Sequence, residues 1–357
     1  MRAALWLLNL VASILIVGTS SPTAALAAQA YKVVKSLAVG GAGGFDYVFA
    51  DADGRKLYVP RGGRVDAYDL DTLKPVGTIT PTNRVHGAAV DTMNKHGFCS
   101  SNPVVMWDTD KLATLKTIPV EGRPDGILFD PATQHVLILS HSAPNATVID
   151  TKDGSIVGTI DLGGAPEQGA SDGIGHLYIT LEDKSKVAVV DSKTNKLTGQ
   201  YDLDSKGGGP AGLALDAKNH VLFVCCHNPA TAVIMNADDG KIITTLPIGK
   251  GIDAAAFNPN TMEAFASTGD GKLTIIKETD PKTFEVEQTV DTMQGAKTCT
   301  LDTKTNQVFL IASDRRAAPP AAGSITPPTT PPAAPPGGRP GRGGGTFTII
   351  VVGKEAP

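Results

Sequence analysis

The chain has 357 residues, of which 41% are hydrophobic, so it can bury a sizeable core as one large domain or as two ordinary ones. This composition excludes a disordered chain. The formal net charge of −4 gives no general attraction to nucleic-acid phosphates or to anionic membrane surfaces.

The N-terminal segment is typical of a secretory signal peptide. Arg2 precedes an apolar run at residues 3–18, and small residues suited to cleavage follow at 25–30. A membrane anchor is the alternative, but Asn9 interrupts the run, which is also shorter than the roughly 20 residues that a spanning helix needs. We therefore predict a signal peptide at 1–30 with cleavage within 27–30, a mature chain without a membrane span, and a periplasmic or secreted protein.

The remainder of the chain repeats one unit. A single alternating stretch from Tyr31 to Val39 comes first and predicts one strand. An acidic or amide turn residue then recurs every 39 to 44 residues, at Asp51, Asp91, Asp130, Asp172, Asp216, Asn258 and Asp302. Short runs rich in β-branched residues surround each turn, and no helical period competes with them. The pattern predicts an all-β fold, a seven-bladed β-propeller with four antiparallel strands per blade.

The seventh unit predicts how the two ends of the chain meet. Its first two strands, at 297–301 and 307–312, precede a stretch at 314–345 in which Pro, Ala, Gly and Thr replace almost every large apolar residue. Such a stretch cannot bury enough surface to fold, so we expect a disordered insertion. A third strand follows at 346–352, and the lone strand from Tyr31 fits the missing fourth place. The prediction is one closed domain over residues 31–357, and we expect a monomer.

The fifth unit shows a family resemblance. Its segments GLALD, HVLFVC and AVIMNADDGKIITTLPIG resemble the YVTN-type repeat, about 40 residues long, of bacterial secreted β-propellers similar to YncE. The resemblance extends over residues 31–352 apart from the Pro-rich insertion. It implies the propeller fold and association with cell surfaces or, in some members, with nucleic acid, but it carries no catalytic residue over to this chain. The local versions of YVTN also depart from the consensus, for example YVPR, FCSS and LILS.

Ionisable residues recur where the innermost strand of each blade enters beside the central channel. Five residues before each turn residue, six of seven positions are ionisable, and the set is Asp46, His86, Asp125, Glu167, Ala211, Asp253 and Lys297. Four carboxylates against one lysine predict an acidic rim at this end of the channel. Loops at the same end of the propeller add Arg61, His141 and His227.

Three interpretations of the rim remain open. The polar groups can serve only solubility and loop structure at a wet channel mouth. They can bind a small molecule, cationic or polyol in character, a protein or cell-envelope ligand, or a hard divalent metal, for which His86, Asp125 and Glu167 from adjacent blades are the favoured ligands. They can also catalyse a reaction, as a metal-assisted lyase or hydrolase of the lactonase kind. We predict a binding module, with the enzyme as the alternative; nucleic acid is disfavoured because carboxylates lie among the basic residues.

Overall fold

The computed structural model describes residues 29–40, 45–80, 82–314 and 346–354. Within these ranges the chain forms seven sheets of four antiparallel strands and one turn of 3-10 helix at Glu182–Lys184. The described part contains no helix with the length and apolar character needed to cross a membrane. Most of the predicted signal peptide, and the predicted insertion from residue 315 onward, lie outside the described residues.

Each sheet is one blade, and the strands of blades one to six follow chain order from the channel outward. Blades one and two contain β2 Phe49–Asp51, β3 Lys56–Pro60, β4 Val65–Asp69, β5 Pro75–Ile79, β6 Ala88–Asp91, β7 His96–Cys99, β8 Val104–Asp108 and β9 Thr114–Ile118. Blades three and four contain β10 Pro124–Asp130, β11 His135–Ser140, β12 Ala146–Asp150, β13 Ile156–Ile160, β14 Pro166–Ser171, β15 His176–Leu181, β16 Lys186–Asp191 and β17 Lys196–Asp202. Blades five and six contain β18 Pro210–Asp216, β19 Val221–Cys226, β20 Thr231–Asn236, β21 Ile242–Pro247, β22 Ile252–Asn258, β23 Glu263–Thr268, β24 Lys272–Asp280 and β25 Thr283–Asp291.

Blade seven combines the two ends of the chain. From the channel outward it contains β26 Cys299–Asp302, β27 Gln307–Asp314, β28 Thr346–Lys354 and, as its outermost strand, β1 Tyr31–Ala38. The first strand pairs antiparallel with β28, from Tyr31 opposite Lys354 to Ala38 opposite Thr348. The predictions of seven four-stranded blades and of closure by the N-terminal strand are confirmed.

The recurring turn residue has the same local function in every blade. The Asp51 carboxylate accepts a hydrogen bond from the Gly54 amide at 2.8 Å, and the Asp216 carboxylate accepts one from the Lys218 amide at 3.0 Å. The bond of Asp216, to the amide two residues later in the chain, also occurs at Asp91, Asp130, Asp172, Asn258 and Asp302, whereas Asp51 bonds the amide three residues later. Because a short carboxylate or amide replaces a backbone acceptor in such a turn, the repeat is visible in the sequence at these positions.

The hydrophobic core consists of seven clusters, one between each pair of neighbouring blades. Between blades one and two, Trp107 is fully buried and lies against Tyr58 with 5.5 Å between the ring centroids. The indole occupies the space that a side chain at Gly97 would take, since a Cβ there would lie 2.1 Å from Trp107. The innermost strands contact one another around the whole ring, which brings the rim positions of different blades together.

Candidate functional site

In several blades the rim residue lies at an irregularity in strand pairing, near the start of the innermost strand. In blades three to six the ladder between the first two strands is shifted at the rim residue, for instance between Pro124 and Ile127 and between Pro166 and Gly169. A bulge removes one residue from regular pairing and changes the direction of its side chain. The rim residue of these blades is therefore available to its neighbours across the channel mouth instead of lying in the sheet.

One half of the rim is a row of alternating charges. The Lys297 ammonium contacts the Asp253 carboxylate and lies 3.3 Å from Asp46 Oδ1. The other oxygen of that carboxylate, Asp46 Oδ2, lies 2.9 Å from His86 Nδ1. Blades six, seven, one and two are thus linked by side chains that lie 40 or more residues apart in sequence.

The row continues across blades three and four. His86 Nδ1 lies 3.2 Å from Asp125 Oδ1, and His141 Nε2 lies 3.4 Å from Asp125 Oδ2 and 3.0 Å from Glu167 Oε1. The second oxygen of Glu167 accepts a hydrogen bond of 2.8 Å from the Tyr47 hydroxyl. We call the seven linked residues the charged ring, which consists of Asp46, His86, Asp125, His141, Glu167, Asp253 and Lys297.

The carboxylates change the ionisation of the two ring histidines. Hydrogen bonds to Asp125 and Asp46 raise the pKa of His86 to about 9, and the adjacent Glu167 carboxylate raises the pKa of His141 to about 9. Burial alone would raise the pKa of Asp46, but the hydrogen bond from His86 and the charge of Lys297 outweigh it and lower that pKa. With both imidazoles protonated, three positive groups face four carboxylates, so the ring carries nearly balanced charge where the sequence suggested an acidic rim.

The ring extends weakly toward blade five. Burial, followed by the negative charge of Glu167, raises the pKa of Glu182. His227 Nε2 lies 4.0 Å from Glu182 Oε1, and among the described residues it has no ion pair with a member of the charged ring. Blade five itself contributes Ala211, which is buried. His227, predicted as a site residue, therefore stands beside the charged ring and not in it.

Arg61, also predicted as a site residue, is a packing residue in this structure. Its side chain is buried, with the guanidinium 3.7 Å from the centroid of the Phe347 ring. One nitrogen donates a hydrogen bond of 2.7 Å to the Gly40 carbonyl, and another lies 3.6 Å from an oxygen of Asp66. These contacts connect blade one to blade seven. Among the described residues, Arg61 does not contact the charged ring.

A cavity of about 330 Å³ lies in the channel next to the ring. Tyr47, Glu167, Gln168 and Thr300 supply its polar lining, and the remaining wall comes from small and apolar residues of the innermost strands and the segments just before them. Burial raises the pKa of the Tyr47 hydroxyl well above its ordinary value, so this group stays protonated and donates to Glu167. No signal in the sequence marks Tyr47 as a site residue, because a tyrosine just before a strand is also an ordinary core residue.

A second cavity of about 200 Å³, the side pocket, opens beside the ring between blades two and three. Its lining is Arg84, His86, Ser101, Asn102, Gly122, Arg123, Pro124, Asp125 and His141. Arg84 and Arg123 are exposed, and neither guanidinium has a hydrogen bond or an ion pair with any described residue. Every carboxylate of the ring, in contrast, contacts a cationic side chain. The unpaired charged groups that line the side pocket, among the described residues, are therefore the two guanidinium groups.

The structure divides the predicted metal ligands between two groups. Asp46, His86 and Asp125 form one group of three donors, and Asp125, His141 and Glu167 form the other; within each group the donor atoms lie within 4.8 Å of one another. The predicted trio of His86, Asp125 and Glu167 is therefore not a single group, although all three residues are present and Asp125 joins both. His141 is the donor that completes the second group.

Comparisons with known proteins establish the fold alone. No protein-family model matches the chain, and no curated protein matches it. A chain of the Kuenenia stuttgartiensis hydrazine synthase superposes with a TM-score of 0.65 at 14% sequence identity, over 75% of this chain and 92% of that one. A chain of a mitotic checkpoint complex superposes with a TM-score of 0.69 at 12% identity, over 79% of this chain and 92% of that one. The class is thus a seven-bladed β-propeller.

Proposed function

We propose that this chain is an exported, monomeric β-propeller of the YVTN type that binds a small anionic molecule at the charged ring and the side pocket. The observation that carries the proposal is the contrast between the guanidinium groups of Arg84 and Arg123, which lack a partner among the described residues, and the ring carboxylates, which are all paired. An organic cation would have to displace Lys297 or a histidine from these carboxylates. An anionic ligand meets two guanidinium groups that form no ion pair within the part of the chain that the structure describes.

The side pocket limits the size and chemistry of this ligand. Its volume of about 200 Å³ is below the range of about 300–1,000 Å³ that is usual for drug-sized ligands. Guanidinium groups bind carboxylate and phosphate oxygens with two parallel hydrogen bonds, and such charge-assisted bonds contribute about 1.5–3 kcal/mol each. A small carboxylate or phosphate compound fits both the volume and the charge. A protein or cell-envelope ligand that presents an acidic group would use the same two arginines.

Calorimetric titration of the mature protein with citrate, inorganic phosphate and neutral glucose tests this proposal. We expect citrate or phosphate to bind, and Arg84→Ala and Arg123→Ala each to weaken binding about tenfold or more because each removes a charge-assisted contact. Lys218→Ala, which removes an exposed cation at the opposite end of the propeller, is the matched control and should bind like the wild type. Binding that is unchanged in both arginine variants, or seen only with glucose, would contradict the proposal.

Export depends on the N-terminal signal. The proposal requires that a bacterial host expressing the full chain yields a protein in the periplasm or medium whose first residue lies within 28–31. Recovery of the uncleaved chain in the cytoplasm alone would remove the exported part of the proposal and leave the binding part in place.

A metal-assisted lyase or hydrolase that uses the same ring is the second candidate. The two groups of histidine and carboxylate donors at the channel mouth favour it specifically. Incubation of the metal-supplied protein with a panel of lactones and esters distinguishes the two functions. If all the compounds are recovered unchanged, the lyase or hydrolase function is excluded, and the proposal of anion binding is unaffected.

A further inference from the structure

We propose that the charged ring is a two-metal centre in which Asp125 bridges two divalent transition-metal ions. The first ion would be held by Asp46, His86 and one oxygen of Asp125, and the second by His141, Glu167 and the other oxygen of Asp125. This inference goes beyond the proposed anion binding, because the donor groups exist whether or not an organic anion enters the side pocket.

The spacing of the first donor group fits a shared ion. Donor atoms that bind one ion at about 2.0–2.2 Å are separated from each other by about 3.0–3.5 Å in octahedral or tetrahedral geometry. His86 Nδ1 lies 2.9 Å from Asp46 Oδ2 and 3.2 Å from Asp125 Oδ1. The side chains therefore already stand at ligand-to-ligand distances, and an ion can replace the imidazole proton with little movement.

The second donor group has the same spacing and a further feature. His141 Nε2 lies 3.4 Å from Asp125 Oδ2 and 3.0 Å from Glu167 Oε1. This nitrogen is buried, yet neither contact has hydrogen-bond geometry, so it lacks a hydrogen-bond partner among the described residues. A buried nitrogen positioned between two carboxylates without a directed hydrogen bond is placed as a ligand atom would be.

The two groups use different oxygens of Asp125. Oδ1 faces His86 and Oδ2 faces His141, which is the arrangement of a carboxylate that bridges two ions about 3.5–4 Å apart. Each ion would then have three protein ligands and open positions for water or a bound anion. The side pocket, with Arg84 and Arg123, lies beside those open positions because His86, Asp125 and His141 belong to its lining.

The neighbouring groups orient both terminal carboxylates. Glu167 directs Oε1 to His141 while its Oε2 accepts the hydrogen bond from Tyr47. Asp46 directs Oδ2 to His86 while its Oδ1 faces Lys297 at 3.3 Å. In both cases a second polar group holds the oxygen that the donor group does not use, which is how outer groups fix metal-binding carboxylates.

The donor types select the class of metal. Each ion would receive one imidazole nitrogen and two carboxylate oxygens, a set that suits zinc, manganese or cobalt. Calcium takes 6–8 oxygen ligands, and the imidazole in each group disfavours it. Zinc and manganese are therefore the probes of choice, and calcium is the comparison ion.

Metal stoichiometry of the chelator-treated mature protein tests the two-metal centre. We expect two zinc or manganese ions per chain in the wild type, one in Asp46→Asn, one in Glu167→Gln and fewer than one in Asp125→Ala, as measured by elemental analysis after dialysis. Glu182→Gln changes an adjacent carboxylate outside both donor groups and should keep two ions. As a control, circular dichroism and thermal unfolding of each variant test whether the propeller is still folded.

Spectroscopy of the manganese form provides a second measurement. Two ions bridged by Asp125 should give an exchange-coupled electron paramagnetic resonance spectrum, and Glu167→Gln should return the six-line spectrum of an isolated ion. The proposal is overturned if the folded wild type binds fewer than two ions or if its two ions are uncoupled. An Arg84→Ala/Arg123→Ala variant should keep both ions, so a failure of anion binding and a failure of metal binding are separate results.

Discussion

Glu278 shows how one buried carboxyl group makes stability depend on pH. The residue is 1% exposed; its Oε1 accepts a hydrogen bond of 2.8 Å from Asn219, and its Oε2 has no hydrogen-bond partner among the described residues. Burial outweighs the hydrogen bond from Asn219 and raises the pKa of Glu278 to about 7, from an ordinary value of 4.5. The folded state therefore binds this proton more tightly than the unfolded state does.

The expected consequence is a loss of stability as pH rises. The contribution of Glu278 is fully present below pH 4.5 and is lost as the pH rises through about 7. Glu278→Gln removes the ionisation, so relative to the wild type it should be near neutral at pH 4.5 and more stable above pH 8 by on the order of 2–3 kcal/mol. Urea unfolding at both pH values measures the difference. Glu285→Gln, an exposed change in the same blade, is the control; an equal effect of the two substitutions would refute the assignment.

At the scale of secondary-structure elements, Gln168 fastens the innermost strands to one another. From β14 its Oε1 accepts hydrogen bonds from the amides of Leu213 at 2.8 Å and Ala255 at 2.9 Å, and its Nε2 donates to the Ala255 carbonyl at 3.0 Å. These partners lie on β18 and β22, in blades five and six. One side chain thus replaces ladder hydrogen bonds that the innermost strands cannot make with each other across the channel.

We expect Gln168→Ala to destabilise the protein by about 1–3 kcal/mol, because it leaves two strand amides without their protein partner in the channel wall. Hydrogen exchange should speed up at the amides of Leu213 and Ala255. Gln200→Ala, on the outer strand β17, removes a single bond of 2.9 Å to the Leu162 carbonyl and should cost less than about 1 kcal/mol. If the amides of Leu213 and Ala255 exchange no faster in this variant, water in the channel fully replaces the hydrogen bonds of the Gln168 side chain.

At the scale of the whole molecule, closure of the ring depends on the N-terminal strand. Tyr31 is buried with its ring edge-on to Phe265 of blade six, with 5.5 Å between the ring centroids. Its hydroxyl donates a hydrogen bond of 2.5 Å to Glu263, and Lys354 of β28 contacts the same carboxylate at 3.0 Å. The strand therefore ties blade seven to blade six as well as completing the blade-seven sheet.

Tyr31→Ala should cost about 3–5 kcal/mol, the usual range for removal of a buried aromatic side chain. Tyr31→Phe keeps the ring and should cost about 1 kcal/mol, because only the hydroxyl contact is lost. Because each blade shares its core with both neighbours, thermal unfolding should remain a single transition at a lower Tm. A separate early transition in Tyr31→Ala would mean that the closing blade unfolds independently of the rest.

The candidate site could be predicted only in part from the sequence. The rim positions were visible because each lies at a fixed distance from its turn residue, and the structure links six of them through side chains. The contacts that the rim side chains make with one another could not be predicted from the sequence. Whether His86 faces one carboxylate or two depends on the ring radius and on the bulges, which bring together residues from different blades.

The sequence is sufficient to predict the propeller: it shows a recurring turn residue whose side chain bonds the next backbone amides, short runs rich in β-branched residues, and a lone N-terminal strand that matches a missing one. Each of these signals lies within a short segment of the sequence, so it can be recognised without knowing which residues contact one another in the fold. Three features are visible only in the folded structure: Arg61 is buried under Phe347, the guanidinium groups of Arg84 and Arg123 have no ion pair with a described residue, and Asp125 stands between two histidines. Contacts of this kind join residues of different blades, and their distances follow from how seven blades close into a ring.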